Sequence, residues 1–306
     1  MAVVTFTRRQ VLDMVPEFLT KRLAAWTERK AYPAEFGLSD DALGVLNNVL
    51  ALRDGDVVKR STYDLRSPYA IHRPLVDKAW GEIVAAGLAE PIDGGWRLRP
   101  RAIEIAEELS RRIRTYVRGL SLPAEPTRRA ASDLERLAAR VPKDAPRTEL
   151  VRRVVPPVSE PKSEAITLTR GAQILWAYRD DCHIPAWQAK GYEGPVFEVL
   201  SFVWSSPPDV SFTKIGGHRT MDALTKAVAP RQVPAEVERS LDALVRRGDL
   251  TRDGQTVALT TQGQRSRDAI EDETDRRYFA IWDLDDGATA RLGDDLRAII
   301  DALPKA

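Results

Sequence analysis

Residues Pro234 to Thr261 read PAEVERSLDALVRRGDLTRDGQTVALTT. Pro234 and Glu236 make a good helix start, because a proline nitrogen at the first helical position needs no partner and acid in the first turn complements the positive end of the dipole. Val237, Leu241, Leu244 and Val245 then fall three and four apart and give one apolar stripe. Gly248 ends the helix, with Arg246 and Arg247 in the last turn, where cations are favoured. A short run (Leu250-Thr251), an Asp253-Gly254 turn and an alternating run (Val257, Leu259) follow, and Thr261 caps a further helix.

Helix, two-stranded hairpin, helix is the back half of a winged helix-turn-helix. Such a unit lays its helix in a duplex groove and touches phosphates with its hairpin, so both need basic groups. Arg239, Arg246, Arg247 and Arg252 supply them. The same grammar occurs earlier, in LVDKAWGEIVAAGLAEPIDGGWRLRPR from Leu75 to Arg101, with Arg73, Lys78, Arg97 and Arg99 as its basic set. Gly87 matches Gly248, Trp96 matches Val257, Leu98 matches Leu259 and Pro100 matches Thr261, all at an offset of 161. Upstream, Val45, Leu46 and Val49 match Val199, Leu200 and Val203 at an offset of 154, and Trp26, Lys30 and Tyr32 resemble Trp187, Lys190 and Tyr192. Matches in the same order across both halves read as one module present twice.

At 306 residues and 43% apolar content the chain has room for two domains with proper cores. Lys plus Arg is 46 against 45 Asp plus Glu, which argues against a histone-like or RNA-coating role but leaves a duplex binder with one basic face. The single Cys182 excludes an intrachain disulfide framework and fits a reducing cytoplasm. No apolar run approaches the roughly 20 residues of a membrane span. The start, MAVVTFTRRQ, does not read as a signal peptide.

Along the chain, residues 7–30 are expected to be helical in two pieces, interrupted by Pro16. Ser39-Asp40-Asp41 starts a helix, while 54–74 reads as irregular, without a clean first helix for the turn motif. Residues 1–120 form the first winged-helix module. Residues 121–164 form a Pro-rich connector with one helix from Thr127 to Arg140 and an extended tail, VVPPVSEPKSE. Residues 165–306 form the second module, with helices at Thr169–Arg179, Pro195–Ser205, Thr220–Val228, Pro234–Arg247, Thr261–Ala280 and Thr289–Leu303.

The segments ALVRRGDL, LTTQGQRSRDAIEDETD with the following Trp282-Asp283-Leu284, and RDDCH before GYEG carry a resemblance to the actinobacterial MarR-like winged-helix family, described as SCO-type duplicated helix-turn-helix proteins. It covers roughly Ile174 to Leu284 and implies a fold of helices plus a small wing and a regulator's function.

Taken singly, most of these arginines would be solvated surface groups; their shared place on one unit is what points to nucleic acid. The first groove helix carries Asp77, Glu82, Ile83 and Val84, few of which read base edges. Trp176, Tyr178, His183, Trp187, Tyr192 and Trp204 are the candidate lining of a pocket for a flat aromatic ligand, with core packing as the competing role. Trp96 is unusual on a wing and is expected to stack on Trp80 or to be a contact residue. Asp180, Asp181, Cys182 and His183 have metal-like types but no partner pair, and helix-terminal loop chemistry explains the run better, so no metal is assigned. Asp275 with Arg267 or Arg276 is a candidate ion pair at the module interface. No HExxH, P-loop, GxGxxG, GxSxG or CxxC pattern occurs, so no enzyme and no cofactor are expected.

The expected fold is therefore mainly α with small β wings, as two tandem winged helix-turn-helix modules with flanking helices. The expected function is a ligand-responsive, double-stranded DNA-binding regulator acting as an intrachain pseudo-dimer, monomeric or weakly dimeric. The alternative is a winged-helix scaffold that binds a small aromatic molecule or a protein without DNA.

Overall fold

The computed structural model describes residues 6–28, 32–66, 73–154, 156, 159–204, 218–228 and 232–305. Thr7 caps the first helix, α1 (Arg8–Lys21), in a reciprocal box with Gln10. α1 runs through Pro16 in one piece, contrary to expectation. The lost backbone bond is offset by burial of Val11, Leu12, Val15 and Phe18 on the same helix.

Ser39 caps α2 (Asp40–Leu52), and Gly55, at φ +60°, turns the chain into β1 (Val57–Lys59). α3 (Arg60–Arg66) and α4 (Arg73–Ala85) follow, then β2 (Ala89–Ile92), β3 (Gly95–Leu98) and α5 (Pro100–Arg118). Next come α6 (Ala124–Arg140), α7 (Pro146–Arg152) and the long α8 (Glu164–Gln188). The chain continues with α9 (Gly194–Trp204), β4 (His218–Thr220), α10 (Met221–Val228), α11 (Pro234–Arg246), β5 (Leu250–Asp253) and β6 (Thr256–Leu259), and ends with α12 (Thr261–Tyr278) and α13 (Asp286–Ala302). The cap of α12 is Thr260, one residue before the expected Thr261: its hydroxyl accepts from Gly263 N–H.

Two antiparallel sheets have strand orders β1-β3-β2 and β4-β6-β5. The hairpins fall where the turn residues place them, but each carries a third strand. Val58 pairs with Trp96, and Arg219 pairs with Val257. A Cβ on Gly95 would lie 2.2 Å from the Val58 carbonyl oxygen, so glycine is what lets β1 close on β3. The expected irregular stretch holds β1 and α3.

Among the described residues three apolar cores result. An N-terminal unit packs α2, α4, α5 and the first sheet around Leu46, Trp80, Ile83 and Ile105. A C-terminal unit packs α9, α10, α11 and the second sheet around Phe197, Leu200, Leu241 and Val257. A central body, drawn from both ends and the middle of the sequence, joins α1, α6, α8 as far as Cys182, the end of α12, and α13.

Residues 121–164, expected as a connector, supply a core wall. α6 buries Ala130, Ala131, Leu134, Leu137 and Ala138, and it crosses α8 so closely that a Cβ on Gly171 would lie 2.9 Å from Leu134 Cβ. The tail is fastened by Glu160, which accepts from Arg114 at 2.6 Å and Arg118 at 2.8 Å on α5.

α8 also runs past its expected end at Arg179 and through Pro185. Leu168, Leu175 and Cys182 serve the central body, and Ile184 and Trp187 serve the C-terminal unit. α12 does the same, with Ile270 in one core and Tyr278 in the other.

Where α1, α8 and α12 converge, Glu271 accepts from Arg179 at 2.7 Å, from Arg9 at 2.9 Å and from Arg267. Arg267 in turn lies 4.9 Å from the Phe197 ring centroid and 4.3 Å from that of Trp204. Asp275 pairs with Arg9 rather than with Arg267 or Arg276, and Arg276 binds Glu273 at 2.7 Å. Burial alone would raise the Glu271 carboxyl, but Arg267 and Arg179 reverse this and hold it well below the usual range. Burial drives His183 well below its ordinary value, and its Nδ1 lies 2.9 Å from Thr274 Oγ1. Burial raises Asp13, on the edge of this cluster, to about 6.

Three outcomes follow from this packing. Gly171→Val should cost about 1–3 kcal/mol by overpacking the α6–α8 crossing; urea denaturation with an unchanged midpoint would contradict the crossing. Glu271→Ala should cost about 3–5 kcal/mol, because three guanidinium groups lose their shared partner. Glu271 and His183 both have depressed folded values, so their contributions are present above the unfolded values of 4.5 and 6.5 and are lost as pH falls through the folded ones. Asp13 has the opposite sign: its contribution is present below 3.8 and is lost as pH rises through about 6. Asp13→Asn should therefore stabilise the chain at pH ~7 but not at pH ~4. Thermal unfolding at the two pH values checks this, and an equal shift at both would refute it.

Candidate nucleic-acid interface

α4 and α11 each follow a short helix and precede a hairpin, the place of the groove helix in a turn motif. α4 turns Val76, Ala79, Trp80 and Ile83 inward and leaves Asp77, Lys78, Gly81 and Ala85 exposed. α11 turns Val237, Ser240, Leu241 and Leu244 inward and leaves Glu238, Arg239, Asp242, Val245 and Arg246 exposed. One acid faces one base on the first helix, and two acids face two bases on the second. Among the described exposed side chains both outward faces are electroneutral.

The eight basic candidates divide accordingly. Lys78 is exposed on α4, Arg246 is exposed in the last turn of α11, and Arg239 is exposed with only a long 3.9 Å approach to Glu236. Lys78 and Arg239 stand at corresponding places on the two helices. Arg73 opens α4, but its side chain lies outside the described residues. On the hairpins, Arg97 binds Glu90 at 3.1 Å and Arg99 binds the same carboxylate at 2.7 Å. Arg252 binds Glu238 at 2.7 Å, which holds its guanidinium above the ordinary value. These pairs are exposed, so each is worth about 0–1 kcal/mol and exchanges readily for another anion.

Arg247 sits differently. Its Nε donates to Asp249 at 3.0 Å, its Nη atoms donate to the carbonyls of Gly191 and Lys190 at 3.2 and 3.1 Å, and its plane lies 4.1 Å from the Tyr192 ring centroid. Tyr192 closes the ring with an O–H bond of 2.8 Å to Asp249. Arg247 thus ties the end of α11 to the turn between α8 and α9, and every guanidinium nitrogen has a partner. A phosphate contact was expected of Arg247; in this structure its guanidinium is engaged within the chain. The signal was in the sequence, since Asp249 lies two residues on, but Gly191 and Tyr192 are brought in only by the fold.

Arg60, which no motif in the sequence marks, pairs with Asp77 and lies 5.3 Å from the Trp96 ring centroid. Trp96 stacks on Trp80 at 4.2 Å with a 5° interplanar angle, the expected partner.

Four of the six aromatic-pocket candidates are divided between two cores. Trp176 and Tyr178 belong to the central body, where Tyr178 meets Tyr278 at 5.8 Å. Trp187 and Tyr192 pack on Phe197 at 5.4 and 5.8 Å. His183 faces Thr274 and Phe197, and Trp204 lies under Arg267. They fill space against one another and against their neighbours.

The Asp180–His183 run sits in the middle of α8, not in a terminal loop. Asp181 caps α7 by accepting from the Arg147 and Thr148 amides at 2.9 Å each. Cys182 is buried and pushed up to about 11 by that burial. Among the described residues no group of three or more His, Cys, Asp or Glu is placed to hold a metal, and no helix is long and apolar enough to cross a membrane.

No curated protein and no solved structure gives a match to this chain. A family model described as a helix-turn-helix family matches residues 121–306, more than half of the sequence. The matched region runs from just before α6 through α11 to α13, taking in the C-terminal unit and the central body except α1, and its family suggests DNA binding. On this match the chain belongs to the helix-turn-helix family.

Proposed function

We propose that this chain is a cytoplasmic transcriptional regulator that binds duplex DNA through two MarR-like winged helix-turn-helix units in one polypeptide, with α4 and α11 as the groove helices. One observation carries the reading. β1, α4, β2, β3 and α5 begin at residues 57, 73, 89, 95 and 100, and β4, α11, β5, β6 and α12 begin at 218, 234, 250, 256 and 261, a constant offset of 161. Single-unit regulators need two chains to present two such helices about one duplex turn apart. A duplicated unit on a shared central body supplies the pair covalently.

Lys78, Arg239 and Arg246 are the exposed cations that would meet phosphates first. Arg97, Arg99 and Arg252 would exchange a carboxylate for a phosphate. The electroneutral outward faces favour a second reading, in which the units are a scaffold for a protein partner or a small aromatic molecule. Against the aromatic half of that reading, five of the six candidates are buried against other side chains and Trp176 is half-buried on the central core.

Fluorescence anisotropy with random-sequence duplex across a salt series separates the two. With about three to six phosphates neutralised, log affinity should fall against log salt with a slope of roughly −3 to −5. The triple variant K78E/R239E/R246E should lose about tenfold or more at low salt. No binding at ~50 mM salt, or a triple variant that binds like the wild type, would move the function to the scaffold reading.

A further inference from the structure

α4 and α11 share one burial register. From Pro74 to Ile83 and from Ala235 to Leu244, exposed, half-buried and buried positions follow in the same order, residue for residue, at the offset of 161. This register places Asp77 with Glu238, Lys78 with Arg239, and Gly81 with Asp242, all exposed. The fifth and sixth residues of each helix are thus an acid followed by a base, both turned away from the core. The N-terminal half of a groove helix is the part that reaches base edges.

Both acids are held from outside their own helix. Arg60, the first residue of α3, pairs with Asp77, and Arg252 of β5 pairs with Glu238 at 2.7 Å. The two arginines occupy unrelated places in the duplicated unit, since by the same offset Arg60 corresponds to Met221 and Arg252 to Pro91. A clasp of one kind is built twice from different residues. It sets a carboxylate on the outward face while cancelling the charge that phosphates would repel. Gly81 adds a separate sign. It lies in the middle of α4, and a Cβ there would meet nothing within 4 Å. Glycine weakens a helix relative to alanine, and the packing of this chain does not call for it here. On an exposed helix face, a missing side chain lets another surface approach the backbone closely. Asp242 fills the same place on α11.

We infer that each groove helix reads a G·C pair with this doublet. Lys78 and Arg239 meet phosphates on approach and, once docked, donate to guanine O6 and N7. Asp77 and Glu238 accept from the amino group of the paired cytosine. Gly81 seats α4 closer to the bases than Asp242 allows α11. Such recognition rests on the DNA-binding reading and names the bases recognised. The chemistry selects the pair. Guanine places two acceptors side by side for a cationic donor, and cytosine N4 is the donor that a carboxylate takes in the major groove. Adenine sets an acceptor beside a donor, which suits an amide instead.

The full chain and its variants are incubated with a pool of randomised duplexes, affinity for the pool is measured by anisotropy, and the bound fraction is sequenced. The unaltered chain should enrich two segments, each with one position fixed as G·C. Lys78→Ala should relax that position in one segment and Arg239→Ala in the other, each by about tenfold in discrimination. Asp77→Asn should move the preference of the first segment toward A·T, because an amide matches adenine. Gly81→Gln should raise the melting temperature, since glutamine is the better helix former, yet weaken duplex binding about fivefold or more, as a lost base contact does. Asp242→Gln, at the same place on α11, should not weaken it. A chain that binds no duplex at all removes the DNA-binding reading and the base assignment together. Duplex binding without two fixed G·C positions overturns the base assignment alone. So do fixed positions that stay unchanged in Lys78→Ala, Arg239→Ala and Asp77→Asn, or a Gly81→Gln chain that binds like the unaltered one.

Discussion

One carboxylate, Glu271, is surrounded by guanidinium groups from α1, α8 and its own helix, α12. A buried anion with several cations is stable only where the geometry is fixed on every side. Here the three helices fix one another. Arg9 reaches Glu271 from the start of the chain, Arg179 from the middle of α8, and Arg267 carries the contact on to Phe197 and Trp204 of the C-terminal unit. The cluster sits where the central body becomes the C-terminal unit, and α8 and α12 cross that boundary without a break. A hinge there would have to expose the buried Arg179, Arg267 and Glu271 side chains, so the C-terminal unit and the central body are held as one piece.

The N-terminal unit is joined differently. Its seam with the central body is made by α5 and α8, by the Arg114 and Arg118 bonds to Glu160, and by a cavity rather than continuous core. The family match follows the same division. It takes in the central body from α6 onward and the C-terminal unit, and it leaves the N-terminal unit and α1 outside. α1 nevertheless supplies Arg9 and the buried Val11, Leu12 and Phe18 to the matched region. The first helix of the chain is therefore part of the body that carries the second unit.

The elements with strong local signals were legible in the sequence. Pro234, Gly248, Asp253-Gly254 and the Val237–Leu244 stripe set α11 and its hairpin, and their counterparts set α4 and the first hairpin. β1 and β4 were not legible, because three residues carry no periodicity and only pairing with β3 or β6 defines them. α6 was read as a helix, but its prolines made its surroundings look like a linker. The signal for core was Ala130, Ala131 and Leu134 facing Gly171, a pairing that exists only once α8 is in place. At the candidate interface, residue type was legible and partner was not. Arg246 and Arg247 are adjacent and identical in the sequence, yet one is exposed on α11 and the other is bonded through all its nitrogens.

Opposed charges on both outward faces mean that long-range attraction to DNA is weak and that any recognition must come from contacts made after docking. Two docked helices on one chain would then matter more than either alone, since the second binds at the high effective concentration set by the first. Hydroxyl-radical footprinting at one chain per duplex measures this directly. Two protected segments centred about one helical turn, ~34 Å, apart are predicted. A single protected segment, or a second that forms only with two chains per duplex, would contradict a pseudo-dimer within one polypeptide.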